Sequence, residues 1–70
     1  MEITAHMAGT ILRVEVDPGA RIAAGDEVVV IESMKMEMAI SATADGVVRE
    51  VRVQPGDVVQ EGDVLLVVDA

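Results

Sequence analysis

Shifting this chain by 37 positions lays its two halves on one another without a gap. Gly9-Thr10-Ile11-Leu12-Arg13-Val14-Glu15-Val16 falls on Gly46-Val47-Val48-Arg49-Glu50-Val51-Arg52-Val53, and Asp17-Pro18-Gly19 falls on Gln54-Pro55-Gly56. Ile22 meets Val59, Gly25-Asp26 meets Gly62-Asp63, and Val28 to Glu32 meets Leu65 to Asp69. Eight of the 24 paired positions are identical, and the agreement extends to the turn residues, where chance matching is least expected. A half of this size cannot bury a core alone, so the two must complete each other.

Each half reads as strand, turn, short strand, turn, strand. Val and Ile dominate, and β-branched side chains suit a pleated, half-buried surface. Pro18-Gly19 and Pro55-Gly56 supply a fixed φ followed by an easy positive φ, as a type II turn requires. Gly25-Asp26 and Gly62-Asp63 mark a second turn in each half. Val14 and Val16 alternate, but Ile11 lies three residues before Val14, and Val48, Val51 and Val53 repeat the slip. A β-bulge or sharp bend in both copies leaves that phase shift. No segment keeps a 3.6-residue period, so no helix is expected. The fold class is therefore all-β: two short sheets related by a pseudo-twofold axis, forming a flattened barrel or sandwich.

Composition narrows function. The net charge of −8 argues against nucleic acid, which needs clustered cations. The absence of Phe, Tyr and Trp agrees, since single-strand binders stack bases on aromatics. Without cysteine there is no disulfide and no thiolate metal site. The apolar runs are too short to span a bilayer, and Met1-Glu2-Ile3-Thr4 lacks the features of a secretory signal. No membrane partner and a cytoplasmic location are expected, with the isolated chain a monomer.

The symmetry breaks at residues 33 to 45, which join the half-repeats of about 9–32 and 46–69. Val28 to Ser33 and Glu37 to Ala42 read as paired strands, so Met34, Lys35 and Met36 fall at a tight reversal, a hairpin of about 33–37. That is poor hairpin chemistry, because two-residue loops need positive φ and favour Asn and Gly. Local inconsistency of this kind marks functional sites. Lys35 is also the only lysine; the other fixed cations are Arg13, Arg21, Arg49 and Arg52. An ammonium can lose a proton and become a nucleophilic amine, whereas a guanidinium effectively cannot. From the residues alone, an acylated Lys35 and an incidental, solvated Lys35 both stand. Met34 and Met36 read either as an adaptable apolar contact or as hairpin packing. Glu32 and Glu37 read as recognition charges or as solvated acids. His6, with no cysteine or serine beside it, reads as structural.

The stretch Glu32-Ser33-Met34-Lys35-Met36-Glu37, centred in such a repeat, resembles the biotinyl/lipoyl carrier domain family over essentially the whole chain. The resemblance implies a barrel-sandwich hybrid of two four-stranded antiparallel sheets with the lysine on an exposed hairpin. It further implies that Lys35 carries covalent biotin, attached by a biotin protein ligase from biotinyl-adenylate, with Met34, Met36, Glu32 and Glu37 available for recognition. The ureido ring would be carboxylated at a biotin carboxylase site with ATP and bicarbonate, then deliver the carboxyl group at a carboxyltransferase site. The chain itself would be a carrier and not an enzyme. Lipoyl-bearing relatives typically show Asp-Lys-Ala at the apex, so Met34 and Met36 favour biotin over a lipoyl carrier of a 2-oxoacid dehydrogenase type complex. An unmodified β interaction domain is the third reading.

Two departures matter. Many members have proline where this chain has His6, which leaves the Ala5–Gly9 loop conformation open. The carrier subunit of bacterial acetyl-CoA carboxylase resembles a longer chain, with a thumb and an Ala/Pro-rich linker that find no counterpart here. A short free-standing attachment protein or a carrier domain of a larger carboxylase is expected, and the start at Met1 favours the former.

Overall fold

The computed structural model describes residues Met1–Ala70. Eight strands follow in order: β1 (Glu2–Thr4), β2 (Gly9–Val14), β3 (Arg21–Ile22), β4 (Glu27–Ser33), β5 (Met36–Ser41), β6 (Gly46–Val51), β7 (Val58–Val59) and β8 (Val64–Asp69). They form two four-stranded antiparallel sheets, ordered β1-β8-β6-β3 and β5-β4-β2-β7. There is no helix, and hence none long and apolar enough to cross a membrane.

The repeat is built as an exchange. Each sheet takes its short strand from the other half: β3 of the first half pairs with β6, and β7 of the second half pairs with β2. The Pro-Gly turns complete the swap. Gly19 N–H donates to the Val48 carbonyl at 2.7 Å and Val48 N–H donates to Ala20 at 2.8 Å; their counterparts are Gly56 to Ile11 and Ile11 to Asp57, both 2.8 Å. Both turn glycines have positive φ, +91° at Gly19 and +96° at Gly56, the conformation expected there.

The phase slip in the apolar pattern is a pair of register shifts. One lies between Ile11 and Arg13 against β4, the other between Val48 and Glu50 against β8. An extra residue in a strand turns the following side chains to the other face. This keeps Ile11 and Val48 in the core, each 1% exposed, and sends Arg13 and Glu50 to solvent on the outer faces.

The core is wholly aliphatic: Ile3, Ala5, Ile11, Ile22, Val28, Val29, Ile31, Ile40, Ala42, Val48, Val59, Leu65, Leu66 and Val68. Nothing polar is buried. Burying such side chains stabilises by about 1.5–3 kcal/mol each. Packing is equally close at the repeat mates Gly9, against β4, and Gly46, against β8. A Cβ at Gly46 would meet the Asp69 carbonyl oxygen at 2.5 Å and Val68 Cγ1 at 2.6 Å.

Two elements differ from the sequence reading. The sequence pattern marks no strand at the N-terminus, yet β1 pairs with β8 and seats Ile3 in the core. The repeat explains it, because the same offset of 37 carries Ile3 onto Ile40 and Ala5 onto Ala42. The second hairpin strand runs Met36–Ser41 instead of starting at Glu37, because Met36 already pairs with Ser33. The Ala5–Gly9 loop needs no proline: Ala5 N–H donates to Asp63 at 2.9 Å, Gly62 N–H donates back to Ala5 at 2.8 Å, and His6 is exposed beside them.

Candidate functional site

The β4–β5 hairpin is fixed from its base. Val28, Val29 and Ile31 on β4 and Ile40 on β5 are all 2% exposed or less. β4 is buried from Val28 to Ile31 and pairs with β5 in a defined register, so the base of the hairpin is held by the core. The pairing then runs Val29 with Ile40, Ile31 with Met38, Glu32 with Glu37, and Ser33 with Met36. Two residues remain for the reversal, Met34 and Lys35, and the core has left them no choice of turn.

Their backbone pays no regard to their chemistry. Met34 has φ +52° and Lys35 φ +64°, the only positive values outside glycine in the chain. Positive φ at both central residues is the type I′ loop that matches strand twist. Without Asn or Gly it costs roughly 1–2 kcal/mol per residue. Strained backbone held by a well-packed base is a recurring property of functional sites.

Glu32, Met34, Lys35, Met36 and Glu37 all lie in this hairpin. Lys35 is exposed at the tip and takes part in none of the four ion pairs. Met34 is 92% exposed and Met36 63%, so Met34 packs against nothing; the hairpin-packing reading fails for it. Glu32 and Glu37 are exposed and face one another across the strands. His6 lies away from the tip, in a shallow groove between β1 and β5 with Glu2, Thr4, Ser41 and Thr43.

The sequence reading missed Arg13. Its guanidinium reaches across β4 to Glu37 Oε1 at 3.6 Å while donating to Glu15 at 2.6 Å. The Glu15 hydrogen bond, aided by the charges of Glu15 and Glu37, raises the Arg13 pKa above its ordinary value. Glu32 forms no ion pair, so it is the uncompensated carboxylate of the two. A signal existed: Arg13 and Glu15 match Glu50 and Arg52 in the repeat, the same ion pair with its signs exchanged.

None of the surface depressions is lined by any residue from Glu32 to Glu37. The tip is convex. Its amine stands outside every depression of the surface.

A family model described as "Biotin-requiring enzyme", of the biotin/lipoyl type, matches residues 1–68. The chain belongs to the biotin/lipoyl attachment family. A pyruvate carboxylase of Pichia angusta is 46% identical over 41 residues, which is 59% of this chain and 4% of that protein. The alpha3 subunit of a biotin-dependent acyl-coenzyme A carboxylase from Mycobacterium leprae is 46% identical over 43 residues, 61% of this chain and 7% of that subunit. A biotin/lipoyl attachment protein of Bacillus subtilis is 48% identical over 42 residues, 60% of this chain and 58% of that one. The chain thus spans less than a tenth of the two carboxylases. Among solved structures, the urea carboxylase of Kluyveromyces lactis superposes with a TM-score of 0.92 at 32% identity, covering 99% of this chain and 6% of that one. A single-chain, multi-domain long-chain acyl-CoA carboxylase gives 0.89 at 39% identity, covering 94% and 7%. These two solved structures share the two-sheet fold of this chain.

Proposed function

We propose that this chain is a biotin carboxyl carrier, in which Lys35 accepts biotin from a biotin protein ligase and presents it to biotin carboxylase and carboxyltransferase sites. One observation carries the reading: the only lysine stands unpaired at a convex hairpin tip, flanked by two exposed methionines. The residues fit a covalently held group, since nothing competes for the amine and no wall obstructs an acyl chain leaving it. Biotin, when bound, supplies a ureido nitrogen that takes up and gives up a carboxyl group.

The chain's own contribution is attachment, presentation and recognition. For acylation from an adenylate, the Lys35 ammonium sheds two protons, the amide C–N bond forms at Nζ, and the bond between acyl carbon and phosphate oxygen breaks. Met34 and Met36 give the ligase an adaptable apolar contact beside the amine. Glu32 and Glu37 supply the charge that orients the tip. The rigid β4–β5 base holds the tip at one place on the domain, so a tethered group meets each active site as an intramolecular partner.

Intact mass after co-expression with a biotin ligase tests the reading. A single biotinyl addition is expected, abolished by Lys35→Arg. A lipoyl increment would assign the domain to the other branch of its family, and no addition with an active ligase would reject both. Acylation removes one charge, taking the formal net charge from −8 to −9, so the modified form should run faster toward the anode on a native gel.

A further inference from the structure

The chain holds a second kind of reactive group at its tip. With no Cys, Trp or Tyr present, its thioethers are the side chains most open to two-electron oxidation. They are unevenly placed. Met7 is partly buried against the core, and Met38 and Met1 are 37% and 47% exposed. Met36 and Met34 are 63% and 92% exposed and bracket Lys35. Met34 stands at the turn with positive φ and is not among the side chains packed on the core.

We propose that Met34 and Met36 are sulfoxidation sites, and that their oxidation by a peroxide blocks acylation of Lys35. The inference rests on the carrier reading above, in which the same two side chains form the ligase contact. In each step a sulfur lone pair attacks one peroxide oxygen, the O–O bond breaks and an S–O bond forms. Sulfur is oxidised by two electrons, and the peroxide is reduced to water or, for an organic peroxide, an alcohol. A flexible apolar side chain becomes polar. A sulfoxide buried at the ligase contact without a hydrogen-bond partner is penalised, whereas the thioether was not. In solution the sulfoxide is fully hydrated, so the fold itself loses nothing. Reduction by a dithiol-dependent methionine sulfoxide reductase returns the thioether, water and a disulfide on the reductant, making the block reversible.

The test uses the whole chain and hydrogen peroxide. The chain is treated in graded steps, the peroxide is removed with catalase, and peptide mass mapping reports oxygen addition at each methionine. Met34 should oxidise first and Met36 next, well before Met7. The circular dichroism spectrum should stay unchanged, and ligase kcat/KM should fall at least tenfold. Reductases of both stereospecificities should restore the starting rate. Met34→Leu/Met36→Leu, whatever its own starting rate, should keep that rate after peroxide. Undiminished acylation of chain oxidised at both sites would overturn the proposal. So would unfolding on oxidation, early oxidation of Met7, failure of the reductases to restore the rate, or equal peroxide sensitivity of the leucine variant. If the untreated chain accepts no biotin, the carrier reading itself has failed, and the two failures are told apart by that control.

Discussion

Glu32 stands directly opposite Glu37 in the β4–β5 ladder, one pair behind the strained tip. Like charges in that relation destabilise a strand pair by roughly 0.2–1 kcal/mol. Arg13 relieves only Glu37, at 3.6 Å. Glu32→Gln should therefore stabilise the domain, raising the midpoint of thermal unfolding by up to about 5 °C at low salt. The gain should shrink above about 0.5 M salt, where exposed charges are screened. Circular dichroism is the appropriate probe, as there is no Trp or Tyr. If Glu32 serves ligase recognition, the same variant should be acylated more slowly while being more stable. A lowered midpoint would show that the opposed carboxylates cost the hairpin nothing.

Met34 offers a second such exchange. Asn is favoured at the first central position of a type I′ loop and tolerates the left-handed region. Met34→Asn should relieve about 1 kcal/mol of backbone strain and raise the melting midpoint by about 4–8 °C. It also removes the most exposed thioether, so the ligase should acylate the variant less efficiently. Equal or lower thermal stability would mean that Met34 bears no strain at φ +52°.

Much of this architecture could be read in advance because the chain states it twice. The spacing from Ile11 to Val14, copied from Val48 to Val51, marked both bulges, since only an extra residue reconciles three-residue spacing with a period of two. Proline and glycine marked the turns through φ alone. Lys35 was legible as the odd residue in a symmetric frame, and the poor hairpin chemistry of Met34, Lys35 and Met36 marked the reversal where Met34 and Lys35 take positive φ. Other features were harder to see. Strand β1 has three residues, too few to show alternation, and only the repeat offset reveals it. Arg13 reaches Glu37 across an intervening strand, a contact that depends on register and on the bulge that turns Arg13 outward. Neither is visible until the strands are laid side by side.

The sign-exchanged ion pairs give a pH prediction. Glu50 accepts a hydrogen bond from Arg52, and that bond, with the Arg52 charge, lowers the Glu50 pKa from its ordinary 4.5. A carboxyl with a lowered folded pKa binds its proton less readily in the native state. Its stabilisation is fully present above the unfolded pKa and is lost as pH falls through the folded value. Wild type should thus melt above Glu50→Gln at pH 7, with the two converging once pH drops well below 4.5. The difference should be small, because the pair is solvent-exposed. A gap that persists undiminished in strong acid would trace the effect to packing instead of charge.

Ala20 is the one position where the repeat leaves a turn incomplete. Four turns close alike, with the N–H of the fourth residue donating to the carbonyl of the first: Ala20 to Asp17, Asp26 to Ala23, Asp57 to Gln54, and Asp63 to Gln60, at 3.0–3.1 Å. In three of them the fourth residue is aspartate, and its carboxylate accepts a second bond from the N–H of the first. These are Ala23 to Asp26 at 2.9 Å, Gln54 to Asp57 at 2.9 Å, and Gln60 to Asp63 at 2.8 Å. Ala20, the mate of Asp57, has no carboxylate to offer. Ala20 and Asp57 are both half-buried, and their carbonyls accept equivalent bonds from Val48 and Ile11, so the backbone is already arranged for the missing contact. A hydrogen bond to a charged group contributes about 1.5–3 kcal/mol where it is sheltered, and less where water competes. Added negative charge on a chain already at −8 opposes the gain. Ala20→Asp should therefore raise the melting midpoint by a few degrees, and more so in salt, which screens the added repulsion but shields a short local bond less. Asp57→Ala should lower it by a similar amount. Stabilisation by neither salt nor substitution at position 20, alongside a clear loss at position 57, would show that the two halves share turn geometry without sharing its energetics.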